Sequence, residues 1–189
     1  MFEFRSEAVI ALGGNMPSPA GPPARTLGRA VAEMARAGMA IRAVSRFFAT
    51  PCFPAGAGPD YVNAAVRIRT ALGPEALLAA LHQIEAGFGR QRTRRWGGRT
   101  LDLDLICVGD TVLPDPETQH AWRMLPPDRQ ALAAPDRLIL PHPRLQDRAF
   151  VLVPMADIAP DWRHPLLSQT VREMLAALGP GQVASVRPL

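Results

Sequence analysis

The sequence predicts an α+β fold built on an antiparallel sheet. Short apolar runs alternate with segments of helical spacing in the order strand, helix, strand, strand, helix, strand. The runs at 61–70 and 100–107 alternate residue by residue, marking one buried and one polar face. At 189 residues, 48% hydrophobic and 20% charged, the composition is that of a globular chain able to bury a sizeable core, and residues 1–189 are expected to form one domain.

Ala8-Val9-Ile10-Ala11-Leu12, closed by Gly13-Gly14-Asn15, reads as a buried strand and turn. After a Pro/Gly-rich stretch at 17–23, Leu27, Val31 and Met34 recur at helical spacing, so a helix should run to about Ala37 and end at Gly38. Met39 to Thr50, with Ile41, Val44, Phe47 and Phe48, reads as a second strand, followed by a Pro/Gly loop at 51–59. In the next strand Val62, Ala64, Val66 and Ile68 face one way, and Tyr61, Asn63, Arg67 and Arg69 the other. Pro74-Glu75 opens a helix whose buried stripe is Leu77, Leu81, Ile84 and Phe88, with Leu78, His82 and Glu85 on an adjacent stripe. Leu101, Leu103, Leu105 and Cys107 then alternate with Thr100, Asp102, Asp104 and Ile106.

This order matches a ferredoxin-like βαββαβ core, an antiparallel sheet with helices on one face. The other face would present Tyr61, Asn63, Asp102 and Asp104 to a ligand. The Pro-rich residues 114–136 read as a surface insertion with a short helix around 128–134. C-terminal additions follow: a strand at Phe150-Val151-Leu152-Val153 and a helix near Gln169 to Leu178.

All 21 basic residues are Arg. The absence of Lys excludes a Walker-type phosphate loop, a Schiff-base enzyme and the ordinary protein-kinase pattern. Five of the Arg (90, 92, 94, 95 and 99) fall in ten residues that hold no acid; elsewhere 16 Arg face 17 acids. The net +4 is therefore a local patch on a nearly neutral body, and the patch asks for a multiply charged anion. Cys52 and Cys107 have no metal-binding spacing and no apolar stretch approaches the length of a membrane span, so a soluble cytoplasmic protein is expected.

The patch runs directly into Thr100-Leu101-Asp102-Leu103-Asp104. Two Asp at i, i+2 on a strand project from one face, roughly 6–7 Å apart, a spacing at which Mg²⁺ can be shared between carboxylates and substrate phosphates. A bare Asp-x-Asp is also what a solvated edge strand presents; five adjacent Arg favour the phosphate reading. Trp96-Gly97-Gly98 suits a loop that folds over a ligand, with the indole available for stacking. His142, between Pro141 and Pro143, is held more rigidly than an ordinary surface His, and Phe150 is open to either core packing or stacking.

These residues form a known pattern. Ala11-Leu12-Gly13-Gly14-Asn15, Thr50-Pro51, Pro59-Asp60-Tyr61-Val62-Asn63-Ala64, Ile84-Glu85, Gly89-Arg90, the run from Arg95 to Asp104, Pro141-His142-Pro143-Arg144 and Arg148-Ala149-Phe150 closely resemble the 6-hydroxymethyl-7,8-dihydropterin pyrophosphokinase family over roughly residues 8–162. The resemblance implies a step of folate biosynthesis: Mg²⁺-dependent transfer of pyrophosphate from ATP to the pterin hydroxymethyl group, releasing AMP. It implies that Asp102 and Asp104 hold two Mg²⁺ ions and act in catalysis with Arg90 and Arg92. Thr50, Pro51, Phe53, Tyr61, Asn63, Trp96 and Phe150 would form the pterin pocket. Leu78, His82, Glu85, Arg92, Arg95, Trp96, Arg99, Leu105, Arg137, His142 and Arg148 would bind ATP. Gly14 stands where the family often has Ser, and His82 where it often has Gln. The expected partners are the two small substrates, with no nucleic acid, no membrane and a monomeric state.

Two other readings fit parts of the sequence. The same element order occurs in RNA-binding modules, for which an Arg-rich loop with Trp is suited, although no aromatic-rich strand of that type is present. A non-catalytic small-molecule sensor of similar shape is the other.

Overall fold

The computed structural model describes residues 6–52, 58–89, 99–126, 129 and 134–189. Its sheet is centred on β1 (Ser6–Gly14), which pairs antiparallel with β4 (Tyr61–Thr70) on one side and β5 (Asp102–Val108) on the other. β2 (Ala40–Val44) and β3 (Phe48–Thr50) both pair with β4, and β6 (Arg187–Pro188) extends the sheet beyond β3, giving the order β5-β1-β4-β3-β6.

Two helices cover one face. α1 (Pro23–Arg36) and α2 (Pro74–Gly87) each carry Pro in the first turn, where its missing N–H would have no partner in any case. Gly38, at φ +85°, lets the chain leave α1 in the left-handed region. Leu27, Ala30 and Met34 of α1 and Leu77 and Leu81 of α2 pack on Ile10, Leu12, Val66, Ile68, Leu103 and Leu105. Each Leu, Ile or Met so buried contributes about 1.5–3 kcal/mol.

The expected second strand is two. Ser45 breaks it, exchanging its backbone N–H and its hydroxyl oxygen with Ala65 of β4 while Arg46 turns away to ion-pair with Asp157. β5 also departs from simple alternation. Val9 pairs with Cys107 but Ile10 with Leu105, so Ile106 is an extra residue that flips the strand beyond it. Cys107, expected to point with Leu103 and Leu105, therefore joins Val9 and Ala65 on the opposite face.

That opposite face is open only in part. The run expected as a strand at 150–153 is helical, within α4 (Ala149–Ile158). Four consecutive apolar residues including two Val suggest a strand. Yet Val151, Leu152, Met155, Ile158 and Ala159 recur at i, i+1, i+4, i+7 and i+8 and bury one helical stripe. The C-terminal helix is found as α5 (Val171–Ala177), with a capping box between Thr170 and Glu173, followed by a short α6 (Pro180–Ala184). α4 and α5 cover Val9, Ala65, Ile106 and Cys107, leaving the Asp102 end of this face for the site.

In the insertion, a helix lies earlier than expected, at α3 (Pro116–Arg123); most of 128–134 is outside the described residues. Asp115 caps α3 by accepting from the Thr118 N–H at 2.8 Å, with Pro116 following, a start signal visible in the sequence. Gln119 is fully buried and donates to the Pro141 carbonyl, docking the insertion against the segment that carries His142. Among the described residues, no helix is long and apolar enough to cross a membrane.

Candidate active site

The ladder around β1 builds the site. Gly13 pairs with Asn63 on one side and Asp102 on the other, and Ala11 pairs with Ala65 and Asp104. Across the sheet the order is thus Asn63, Gly13, Asp102, and one step along Ala65, Ala11, Asp104. Two small residues on the central strand leave a slot between an amide wall and a carboxylate wall, roughly 10 Å apart at the spacing of two strand pairs. A Cβ on Gly13 would stand 3.2 Å from the Asn63 Oδ1, so a side chain there would fill the slot.

Each wall is held. Asn63 is buried and donates to the Thr50 hydroxyl at 2.8 Å, across the β3–β4 pair. Glu85, also buried, reaches from α2 to accept the Leu103 N–H at 2.7 Å, fixing the strand between the two Asp. At the mouth, Asn15 accepts the Arg99 N–H at 2.9 Å and donates to the Pro59 carbonyl at 3.1 Å, while its own N–H donates to the Arg99 carbonyl. A Cβ on Gly14 would meet the Thr100 carbonyl at 2.7 Å, so the two backbones approach too closely for a side chain there.

Charge converges on the carboxylate wall. Arg99 ion-pairs with Asp102, whose side chain is 14% exposed. Burial opposes the Arg99 charge, but Asp102, by charge and hydrogen bond, with Asp104 and Tyr61, outweighs it and holds the guanidinium firmly protonated. Arg148 enters from the start of α4. Burial lowers its pKa, with Arg99 adding repulsion, while Asp104 and Asp102 act in the other direction. His142 sits beside this group, its Nδ1 accepting from the Arg144 N–H. Burial first, then Arg148 and Arg144, push its pKa down to about 3. At neutral pH it is an uncharged imidazole with Nε2–H as donor. Tyr61 borders the slot, its phenol raised chiefly by partial burial. Phe150, 39% exposed, lies beneath the Arg148 guanidinium at 5.5 Å.

The donor set fits Mg²⁺ shared with a substrate. Among the described residues, no group of three or more His, Cys, Asp or Glu could hold a metal ion alone. Two hard carboxylates beside a glycine-lined slot match a cation that completes its coordination with phosphate oxygens and water.

The family model for 7,8-dihydro-6-hydroxymethylpterin-pyrophosphokinase (HPPK) matches residues 9–160. The chain belongs to this family. It is an ATP-dependent pyrophosphokinase of folate biosynthesis, with ATP and the pterin as substrates and Mg²⁺ as the family's metal. Among its relatives, the 2-amino-4-hydroxy-6-hydroxymethyldihydropteridine pyrophosphokinase of Synechocystis is 40% identical over 96% of this chain and 80% of its own length. That of Methylorubrum extorquens is 36% identical over 96% of this chain and 99% of its own. A crystal structure of Plasmodium falciparum HPPK-DHPS superposes at a TM-score of 0.64 with 15% identity, covering 90% of this chain and 40% of that longer one, a likeness of fold.

The candidate site gathers many of the residues singled out in the sequence. Thr50, Tyr61, Asn63, Arg99, Asp102, Asp104, His142 and Arg148 converge, and the exposed Pro51 follows Thr50 at the rim. Leu105 is 3% exposed and packs in the core, and Glu85 binds backbone inside the molecule. Leu78 is half-buried against that core, with His82 one turn further along α2. Arg137 has a side chain 63% exposed and paired with Asp136. Phe53, Arg90, Arg92, Arg95 and Trp96 lie outside the described residues. Asn15 was visible only as part of the Gly-Gly-Asn turn, and nothing in the sequence marked it as the joint between two loops.

Proposed function

We propose that the slot holds the pterin with its ring edge toward Asn63 and Thr50 and its hydroxymethyl group toward Asp102 and Asp104. The single observation behind this reading is the row Asn63, Gly13, Asp102 across three strands. An amide at one end can read the ring's polar edge, a glycine in the middle admits the flat body, and carboxylates stand at the other end. Tyr61 and Phe150 are available for stacking. Two Mg²⁺ ions would be held by Asp102 and Asp104; when bound they neutralise the phosphate oxygens.

The ATP phosphates lie on the carboxylate side, against Arg99, Arg148 and the Nε2–H of neutral His142. Arg99 then shifts from Asp102 toward phosphate, a move that suits a guanidinium held between anions. Arg90 and Arg92, which the family resemblance assigns to catalysis, act with Arg99 and Arg148 on the transferred group. The hydroxymethyl oxygen attacks the β-phosphorus and gives up its proton to solvent, the bond from that phosphorus to the α,β-bridging oxygen breaks, and AMP leaves with the bridging oxygen. Alignment and charge stabilisation carry the rate, so a dedicated general base is not required. The ferredoxin-like order of strands supports this use of the sheet, since the open half-face lies opposite α1 and α2. An RNA backbone, by contrast, would meet Asp102 and Asp104 as repulsive charges.

The test is product analysis with Mg²⁺-ATP and the reduced hydroxymethyl pterin. AMP should form in step with the pyrophosphorylated pterin; ADP as the sole nucleotide product would refute the reaction. Asp102→Asn and Asp104→Asn should each lower turnover by about a hundredfold or more while leaving thermal unfolding unchanged or raised. Turnover within a few fold of the parent in both would remove the carboxylates from catalysis.

A further inference from the structure

The residues that converge on the slot lie outside the insertion at 114–136, yet α3 grips the segment that carries His142. Of the eight residues of α3, Gln119 alone is buried, at 0% exposure. A helix that only needs to dock would place an apolar side chain at that position. Gln119 also leaves its Oε1 buried without a hydrogen-bond partner, which is unfavourable. An unbranched apolar side chain of the same length would bury as well and leave no orphan, so packing does not select an amide. What the amide adds is its Nε2–H, which donates to the Pro141 carbonyl at 3.2 Å.

That carbonyl belongs to the peptide unit that enters His142. The N–H of the same unit donates to the Ile106 carbonyl of β5 at 2.8 Å. In a trans peptide the two groups point in opposite directions, so α3 and β5 hold one rigid plane from its two sides. The plane sets the direction in which the His142 side chain leaves the backbone. The Arg144 N–H then donates to the ring Nδ1 at 3.2 Å, which leaves Nε2–H as the outward donor. α3 is itself fixed against this segment. Leu113 and Leu140 exchange backbone hydrogen bonds at 2.9 and 3.1 Å, and the Asp115 cap starts the helix two residues beyond Leu113.

We propose that Gln119 is a positioning residue for ATP, acting through the Pro141 carbonyl to aim the His142 Nε2–H at a phosphate oxygen. The insertion is then the element that carries this support, and Gln119 itself touches neither substrate. The inference rests on His142 facing the ATP phosphates.

The test is Gln119→Met, which keeps the length of the side chain and removes the N–H donor, made in the parent and in His142→Ala. The unliganded proteins are compared by the His142 ring resonances and by thermal unfolding, and all are assayed with each substrate varied in turn. Gln119→Met should move the His142 ring resonances and raise KM for ATP about tenfold, while KM for the pterin stays at the parent's value. Its Tm should change little, because one unpaired carbonyl oxygen replaces another. In His142→Ala, adding Gln119→Met should raise KM for ATP no further. If Gln119→Met loses the fold, Gln119→Asn, whose amide is one bond shorter and falls away from Pro141, should give the same split. The proposal is overturned, and the phosphate role of His142 left standing, if His142→Ala raises KM for ATP and Gln119→Met does not. Both are overturned if His142→Ala leaves KM for ATP unchanged. Equal rises in the two KM values, unmoved His142 resonances, additive effects in the double variant, or unfolding of both Gln119 variants would each overturn the proposal and make Gln119 a purely structural residue.

Discussion

Asn15 joins three segments through one peptide unit and one amide, touching the chain at Arg99 and Pro59, which are 84 and 44 residues away. Asn15→Asp keeps the acceptor for the Arg99 N–H but sets a carboxylate oxygen against the Pro59 carbonyl. Stability should fall by about 1–3 kcal/mol in urea unfolding, and KM for the pterin should rise, because both loops lose their common anchor. A variant as stable and as tight as the parent would show the amide to be passive. The two thiols make a second prediction at this scale. Cys107 is fully buried, and burial pushes its pKa up to about 12, whereas Cys52 is partly exposed. A thiol reagent should therefore modify one Cys in the folded chain and two after denaturation; rapid modification of both in the native state would contradict the packing. The positions of Asp102, Asp104 and Asn63 were legible because charge and alternation place them on one polar face. Asn15 was not, because its partners are backbone atoms far off in sequence. Leu105 and Glu85, which the family resemblance places on the nucleotide side, are both buried, and spacing alone does not say how far a stripe sinks into the core.

Elements, rather than residues, decide how the two Asp are aimed. β5 is gripped from α2 by Glu85, whose carboxylate takes the Leu103 N–H, and from the far edge by the His142 N–H donating to the Ile106 carbonyl at 2.8 Å. Glu85→Ala should leave a buried N–H between Asp102 and Asp104, lowering stability by about 1–3 kcal/mol and turnover with it; Glu85→Gln, which keeps an acceptor oxygen, should recover most of both. Equal loss in the two variants would assign Glu85's role to its charge instead. The strand order, α1 and α2 were readable because their periods are clean over ten or more residues. The Ile106 bulge was not, since one inserted residue leaves the composition of β5 unchanged and still reverses Cys107. Nor was α4, where an apolar surface nearly all round hides the period that distinguishes helix from strand. That misreading hid the architecture of the second face: α4 both covers it and delivers Arg148 and Phe150 to the slot from its first turn.

For the molecule as a whole, the charge distribution separates function from stability. The positive excess lies in one decapeptide, residues 90–99, that precedes Thr100 in the sequence, and the rest of the chain is close to neutral. Bulk repulsion is therefore small, and the pH dependence of folding should be governed by particular buried groups. His164 is the clearest. It is fully buried between α4 and α5, its Nδ1 accepts the Leu166 and Leu167 N–H groups at 3.1 and 3.2 Å, and its ring packs edge-on against Trp162. Burial, helped by the Arg123 charge, lowers its pKa to about 4. Because the folded pKa lies below the ordinary value, the unfolded chain binds the proton more readily. The contribution is therefore complete above about pH 6.5 and lost progressively as pH falls toward 4, reaching up to about 3 kcal/mol. Asp157, lowered by its hydrogen bond to Arg46, adds a separate loss only at lower pH, where carboxylates protonate. Urea unfolding between pH 7.5 and 4.5 should thus show a declining free energy with a slope near one proton per buried histidine, about 1.4 kcal/mol per pH unit. His164→Asn places an amide oxygen where Nδ1 accepts and cannot take up the proton, so it should fold at neutral pH and flatten that slope by about one proton. An unchanged slope in His164→Asn would move the acid sensitivity to His142, whose imidazole is also held neutral, and link acid unfolding to the site itself.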